Sequence, residues 1–386
     1  MRFEKRLVFI GVSDIKNRAP FIIQSQFSRS FCQLQTKQKH HQNNGSSSFG
    51  IAFDIDGVII RGRAPIAGSS QALRRLYGDA GSLKVPFLFL TNGGGIPESR
   101  RAIELSELLG LKILPSQVLQ GHSPFKSLLK RYENQLIVAT GKGEPALVML
   151  EYGFKKVLSL DEYASLFENI DPVSQYKKWT TKQELCSTMS TSLNITSRYN
   201  VSSETVKAVF VVSDPVDWGR DIQGPSNPAR GLVTVKALHP SLQVICDVLR
   251  SGGLPGKDSR HQPPLYFAAD DLEYQAAFSS QRLGMGAFRI ALESIFNRIH
   301  HNDLEYICFG KPNPSVFKNA EAVVSQLQLS CNTEAPLREC VAPGSPPFRT
   351  LYMIGDNPSV DIKGARQVVD TVEEAVDYIL QRECIS

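Results

Sequence analysis

Apolar residues in this chain fall mainly into short runs that end abruptly in polar loops. Residues 49–53, 84–90 and 350–354 form three such runs, with little of the alternation typical of half-exposed strands. They read as strands of a parallel sheet, buried on both faces. Residues 98–109 are amphipathic, and Gly110 is positioned to end a helix there. The pattern predicts a doubly wound, Rossmann-like α/β fold whose folded sequence begins at residue 49.

A second group of strand-like and helix-like segments lies between the second and third runs. The strand-like segments are 136–140, 208–212 and 264–268, and the helix-like ones include 145–152 and 286–298. This pattern predicts a second α/β unit inserted into the first. We therefore divide the chain into a leader with a linker (1–48), the first part of a core (49–134), a cap (135–297) and the second part of the core (298–386).

The first 49 residues differ in net charge from the rest of the chain. Residues 1–49 hold eight Lys or Arg and two acids, a balance of +6. Because the whole chain carries +5, the remaining 337 residues sum to −1, which argues against a nucleic-acid partner. A basic, acid-poor, Ser-bearing and amphipathic segment is typical of a mitochondrial transit peptide, and a disordered basic tail is the alternative.

No apolar run approaches the roughly 18 residues that a membrane-spanning helix needs, so no transmembrane segment is expected. The 42% of hydrophobic residues can form a sizeable core. Seven widely spaced cysteines, none in a C-x-x-C pair, favour reduced thiols in a matrix-like or cytosolic compartment.

Carboxylates follow two of the predicted strands at the edge where such sheets bind ligands. Asp54 and Asp56 lie two residues apart, so one can attack while the other exchanges a proton with the leaving group. Together with Asp356 they would repel each other strongly without a cation. Mg²⁺ prefers such oxygen ligands and also binds phosphate.

Phosphate-binding groups follow the remaining strand. Thr91, with the backbone N–H groups of Asn92 and Gly93, can hold phosphate oxygens, and Lys311 can neutralise the phosphoryl charge. Each motif alone is equally typical of a turn, but their order at the strand ends indicates a catalytic site. No Walker P-loop is present, since residues 141–144 lack the spacing and the hydroxyl, and no dinucleotide-binding glycine motif opens a helix after the first strand.

In this order the motifs resemble those of the haloacid dehalogenase-like hydrolases, most of which are Mg²⁺-dependent phosphatases. The resemblance covers about residues 49–386. It implies that Asp54 is the nucleophile that forms an aspartyl-phosphate, Asp56 the general acid and base, Thr91 the phosphate-binding hydroxyl and Lys311 the lysine of the third motif. It also implies Mg²⁺ held by Asp54, Asp56, Asp356 and Asp361.

The long interval between Thr91 and Lys311 resembles subclass IIA of this family, which carries a large C2-type α/β cap. Segments 121–125 and 213–218 are similar to the cat-eye-syndrome critical region protein 5-like branch of plant type. This branch implies a mitochondrial location and a small phosphorylated substrate, with a link to glycerophospholipid metabolism and a homodimer as further expectations.

The acidic turn Asp270-Asp271 in the cap is our candidate for substrate specificity, and a solvated turn is the alternative. Arg289 is interpreted as a surface charge rather than a substrate ligand.

Two segments depart from the family pattern. Residues 224–243 interrupt what would otherwise be one amphipathic helix, and near residue 367 the chain runs on where the family has a further strand and loop. A missing edge strand would leave the sheet uncovered and lower stability. The sequence therefore leaves two hypotheses: a Mg²⁺-dependent phosphatase, and a non-catalytic or destabilised form that keeps the fold.

Overall fold

The computed structural model describes residues 6–12, 49–78, 81–167, 204–215, 241–254, 259, 261–278, 280–331, 350–357, 360–361 and 367–385. The strands of these residues are β1 Arg6–Val12, β2 Phe49–Phe53, β3 Ile60–Arg61, β4 Ala64–Pro65, β5 Phe87–Leu90, β6 Val118–Leu119, β7 Leu136–Thr140, β8 Lys156–Ser159, β9 Ala208–Val211, β10 Leu265–Phe267, β11 Glu273–Tyr274, β12 Arg282–Leu283, β13 Ile307–Cys308, β14 Thr350–Gly355 and β15 Gln367–Val369. The α-helices are α1 Ser69–Arg74, α2 Glu98–Leu109, α3 Leu129–Tyr132, α4 Pro145–Glu151, α5 Leu160–Ala164, α6 Ser241–Arg250, α7 Met285–Ile299, α8 Pro314–Cys331 and α9 Val372–Arg382.

The first sheet has six parallel strands in the order β15-β1-β14-β2-β5-β6. Side chains alternate between its faces, so Phe53 and Phe89 pack with α1, α2 and α9, while Ala52 and Leu88 pack with α8. Helices therefore cover both faces. This arrangement confirms the predicted doubly wound α/β fold, and we call this sheet with its helices the core.

The second sheet has five parallel strands in the order β13-β10-β9-β7-β8. Its own apolar cluster includes residues of α4, α5, α6 and α7. We call this sheet with its helices the cap. Its last strand, β13, pairs with β10 and lies beyond the boundary predicted at residue 297, because a two-residue strand gives almost no periodic signal.

The N-terminal strand was not anticipated. The sequence placed the start of the folded region at residue 49, but β1 pairs with β14 from Arg6 opposite Thr350 to Gly11 opposite Gly355. On its other side β1 pairs with β15. The prediction that this edge of the sheet lacks a strand is therefore wrong, because β1 and β15 lie there. Their pairing satisfies backbone groups that β14 would otherwise expose.

Helix α2 has the predicted bounds and ends at Gly110, which has φ 63. Asp361, expected within a helix, lies in a turn. Most of the 224–243 segment lies outside the described residues, and α6 begins at its end. Within the described residues, no helix combines the length and apolarity needed to cross a membrane.

Candidate active site

Strand β2 carries Asp54 into the site. All five residues of the strand are buried, and the Asp54 N–H donates to the Ile354 carbonyl at 2.8 Å, which fixes the strand end against β14. The buried Lys311 ammonium donates to Asp54 Oδ1 at 2.8 Å. The predicted nucleophile and the predicted lysine are thus brought together from positions far apart in the sequence.

Gly57 lets two loops approach each other. Its N–H donates to the Ile60 carbonyl at 2.8 Å, and its φ of 91 is a left-handed conformation that glycine adopts without strain. A Cβ atom at this position would lie 2.3 Å from Asp356 Oδ2. The glycine after Asp56 is therefore required for the Asp356 loop to come close to β2.

Three carboxylates gather at the end of the core sheet. Oxygen atoms of Asp54, Asp356 and Asp361 lie within 4.8 Å of one another. Lys311 forms ion pairs with Asp54 and Asp361. Three carboxylates this close together offer hard oxygen donors, which fit a divalent cation such as Mg²⁺.

The carboxylate of Asp56, which the resemblance implies as a metal ligand, is not part of this three-carboxylate group among the described residues. It follows Asp54 by two residues, where the chain has entered the Gly57 turn, so it reaches a different part of the cavity. The geometry keeps Asp56 beside the cluster and leaves its carboxylate available for proton transfer.

Burial and charge shift the pKa values of these groups. Burial raises the pKa of Asp54, as does the nearby Asp361, while Lys311 opposes both. Burial disfavours the ammonium of Lys311, but Asp361 and Asp54 outweigh this effect and raise its pKa, so it stays charged. Burial also raises the pKa of Asp56, against the attraction of Arg101 and Lys142. A raised pKa suits a carboxyl group that must donate a proton.

The loop after β5 holds the predicted phosphate-binding residues. Thr91 is buried, and its hydroxyl oxygen accepts a hydrogen bond from the Gly93 N–H at 2.9 Å. The Asn92 side chain accepts from the Lys311 N–H at 2.7 Å and donates to the Lys311 carbonyl at 2.9 Å. Asn92 also donates to Asp271 Oδ1 at 3.1 Å. The side chain of Asn92 therefore positions Lys311 and connects the core to the cap.

The two acids of the cap turn have different surroundings. Asp271 lines the catalytic cavity, and burial raises its pKa to about 6, against the effects of Lys311 and Asn92. Asp270 instead accepts from Arg289 Nε at 2.6 Å and is not among the residues that line the cavity. Arg289 has a side chain 14% exposed and lies over the ring of Tyr306, and it is not among the residues that line the cavity.

The cap contributes two further residues that the sequence analysis did not select. Lys142 Nζ lies 2.7 Å from Asp214 Oδ2, and both side chains line the catalytic cavity. The Glu144 N–H donates to the Gly95 carbonyl at 2.6 Å, which places the loop after β7 against the core. Lys142 lies in the glycine-containing segment that we excluded as a P-loop, and its position after a strand was the signal that could have identified it.

The catalytic cavity has a volume of about 80 Å³. Among the residues that line it are Asp54, Asp56, Thr91, Asn92, Gly93, Asp271, Lys311, Asp356 and Asp361. Of the predicted site residues, only Asp270 is outside this set.

Comparisons with known proteins identify several that are similar to this chain. A family model for haloacid dehalogenase-like hydrolases matches residues 51–155. A mitochondrial hydrolase of Saccharomyces cerevisiae is 30% identical over 329 residues, which cover 83% of this chain and 85% of the relative. A cardiolipin synthase (CMP-forming)/mitochondrial hydrolase fusion protein of Schizosaccharomyces pombe is 29% identical over 317 residues, which cover 82% of this chain and 46% of the fusion protein. Among solved structures, a hypothetical protein of Pyrococcus horikoshii is 18% identical with a TM-score of 0.49, covering 86% of this chain and 99% of that one.

The match to the family model includes the segments that carry Asp54 and Thr91, and the identity to the Saccharomyces hydrolase extends over most of both chains. By sequence the chain therefore belongs to the haloacid dehalogenase-like hydrolases.

Proposed function

We propose that this hydrolase is a Mg²⁺-dependent phosphatase that removes the phosphoryl group of a small phosphorylated metabolite. The observation that carries the proposal is the buried contact between Asp54 and Lys311 beside Asp356 and Asp361, in a cavity also lined by Thr91. A nucleophile, a fixed cation and a phosphate-binding hydroxyl are the groups that phosphoryl transfer through a carboxylate requires.

In the first step a carboxylate oxygen of Asp54 attacks phosphorus and forms an aspartyl-phosphate. The bond between phosphorus and the leaving oxygen breaks, and Asp56 donates its proton to that oxygen, so the product leaves as an alcohol. The Thr91 hydroxyl, oriented by the Gly93 N–H, donates to a phosphoryl oxygen, and Lys311 offsets the negative charge of the phosphoryl group.

In the second step Asp56, now ionised, takes a proton from a water molecule that attacks phosphorus. The bond between phosphorus and the Asp54 oxygen breaks, which releases phosphate and restores both carboxyl groups to their starting states. Asp56 thus acts as acid and then as base, for which its raised pKa is suited.

Asp54, Asp356 and Asp361 would hold the Mg²⁺ ion. When bound, such an ion supplies positive charge that lowers the repulsion between the nucleophile and the phosphate. Lys311 forms ion pairs with Asp54 and Asp361, so this lysine and the ion would together offset the charge of the nucleophile.

We place this activity in the mitochondrial matrix, acting on a substrate related to glycerophospholipid metabolism. Support comes from the composition of the leader, from the name of the Saccharomyces relative as a mitochondrial hydrolase, and from a fungal relative in which the hydrolase is fused to a cardiolipin synthase.

The alternative of a non-catalytic or destabilised form rests on two departures from the family pattern: the interruption at residues 224–243, most of which lies outside the described residues, and a missing strand at the edge of the core sheet. Strands β1 and β15 occupy that edge, and the site residues Asp54, Asp56, Lys311 and Asp356 line one cavity. The phosphatase hypothesis is therefore the better supported of the two.

The test is hydrolysis of a panel of phosphomonoesters by the purified chain, with Mg²⁺ and with EDTA. We expect activity only with the metal. Asp54→Asn and Asp356→Ala should each lower kcat by at least about 1000-fold, because they remove the nucleophile and a metal ligand. Asp303→Asn, an exposed acid outside the cavity, serves as the control and should keep full activity. Hydrolysis that persists in EDTA or in Asp54→Asn would contradict the proposal.

A further inference from the structure

A large groove opens from the catalytic cavity between the core and the cap. Its volume is about 820 Å³, against about 80 Å³ for the cavity itself. Asp56, Thr91, Gly93 and Lys142 line both spaces, so the two meet at the residue proposed to protonate the leaving group.

The two volumes suit different parts of a substrate. The small cavity, with its acids, hydroxyl and lysine, has room for a phosphoryl group. The groove is within the range of sites that hold ligands of metabolite or drug size. An ester bound with its phosphorus near Asp54 and its bridging oxygen near Asp56 would place the rest of the molecule in the groove.

Three cations line the groove, Arg63 and Arg101 from the core and Lys142 from the cap, and the acids Glu104 and Glu107 line it as well. Arg101 projects from α2 of the core and forms an ion pair at 3.0 Å with Glu104, whose side chain is 49% exposed. Lys142 comes from the cap and is held by Asp214. An exposed pair one helical turn apart contributes little, so Arg101 can exchange it for a bidentate contact with a carboxylate or phosphate.

The groove also has an apolar wall. Ile60, Ile96 and Leu108 line it, and Ile60 is almost fully buried. Three aliphatic side chains beside Arg101 and Lys142 favour a ligand with both an apolar part and a negative charge.

From this arrangement, and resting on the proposed phosphatase function, we infer that the groove binds the leaving group of the substrate and selects one that carries a second anionic group next to an apolar portion. Arg101 and Lys142 bind the anion, and the aliphatic wall contacts the apolar portion. Arg101 is then a specificity-determining residue contributed by the core.

The test compares hydrolysis of 3-carboxyphenyl phosphate and phenyl phosphate, which differ only in a carboxylate on the leaving group. We expect the unmodified chain to prefer the carboxylated ester at least tenfold in kcat/KM. Arg101→Gln should reduce this ratio at least tenfold, mainly through KM. Arg100→Gln is the matched control: its side chain pairs with Glu144 and does not line the groove, so the ratio should not change.

Lys142→Gln is a second variant and should also reduce the ratio. It keeps the inference testable if Arg101→Gln does not fold. An equal kcat/KM for the two esters in the unmodified chain, or a ratio unchanged in both Arg101→Gln and Lys142→Gln, would overturn this inference and leave the phosphatase function intact. If the chain hydrolyses neither ester and no member of the phosphomonoester panel, both the proposed function and the inference are overturned.

Discussion

His122 is buried where the core meets the cap, and it links the two by hydrogen bonds. Its Nδ1 lies 2.6 Å from the hydroxyl of Tyr152, which in turn donates to Glu98 Oε1 at 2.6 Å. Lys126 also pairs with Glu98, at 3.0 Å. Within the described residues His122 Nε2 has no hydrogen-bond partner. Burial lowers the pKa of His122 to about 4, although Glu98 opposes this shift, so the native ring is neutral at pH 7.

This shift predicts a stability that depends on pH. The unfolded histidine, with a pKa of about 6.5, binds a proton more readily than the native one, so acidification favours unfolding between about pH 6.5 and 4. We expect the free energy of unfolding to fall by about 2 kcal/mol from pH 6.5 to 5, as measured by urea denaturation. His122→Gln should flatten this slope, and the exposed His301→Gln should retain it. An equal slope in His122→Gln would show that other groups cause the pH dependence.

At the scale of single residues, the sequence predicted the core part of the site well. Asp54, Thr91 and Asp356 each follow an apolar strand, and the carboxyl ends of parallel strands share one edge of a sheet. The contributions of the cap were harder to predict. Asp270 and Asp271 are adjacent in sequence, yet one pairs with Arg289 and the other lines the cavity, a choice that depends on how the cap docks.

At the scale of elements, the predictions were best where local signals agreed with the tertiary structure. Helix α2 has an amphipathic pattern and a terminal glycine, and strand β7 has a continuous apolar run, and both have their predicted bounds. Strand β1 was missed for a physical reason. Its basic and apolar composition is typical of a leader, and its strand conformation depends on pairing with β14, which is more than 300 residues away in sequence.

Strand β1 is also the basis of a prediction about stability. Six of its residues pair with β14, and β15 pairs with no other strand in the described structure. Deleting residues 1–12 should expose the edge of β14 and release β15. We expect a loss of at least about 2 kcal/mol, or roughly 4–8 °C in melting temperature by calorimetry. Deleting residues 1–5 alone is the control and should have little effect. Equal melting temperatures for all three chains would show that β1 does not stabilise the core.

At the scale of the whole molecule, the core and the cap each supply part of the site. The core contributes the three-carboxylate group and the loop of Thr91, while the cap contributes Asp271 and Lys142. The contacts between Asn92 and Asp271 and between Gly95 and Glu144 hold the two parts together. Movement of the cap relative to the core would therefore displace residues on the leaving-group side of the site. It would displace the nucleophile Asp54 less, because Lys311 holds its carboxylate.

The leader has the composition of a transit peptide, and its residues 6–12 also form a strand of the core sheet. We expect residues 1–48 fused to a fluorescent protein to reach mitochondria. We also expect the mature protein to keep residues 6–12, since their removal would leave β14 and β15 without their partner. Mass spectrometry of N-terminal peptides from the chain isolated from mitochondria measures this directly. A mature N-terminus beyond Val12, on a protein that melts as high as the full chain, would show that β1 is not needed and that the whole leader is removed.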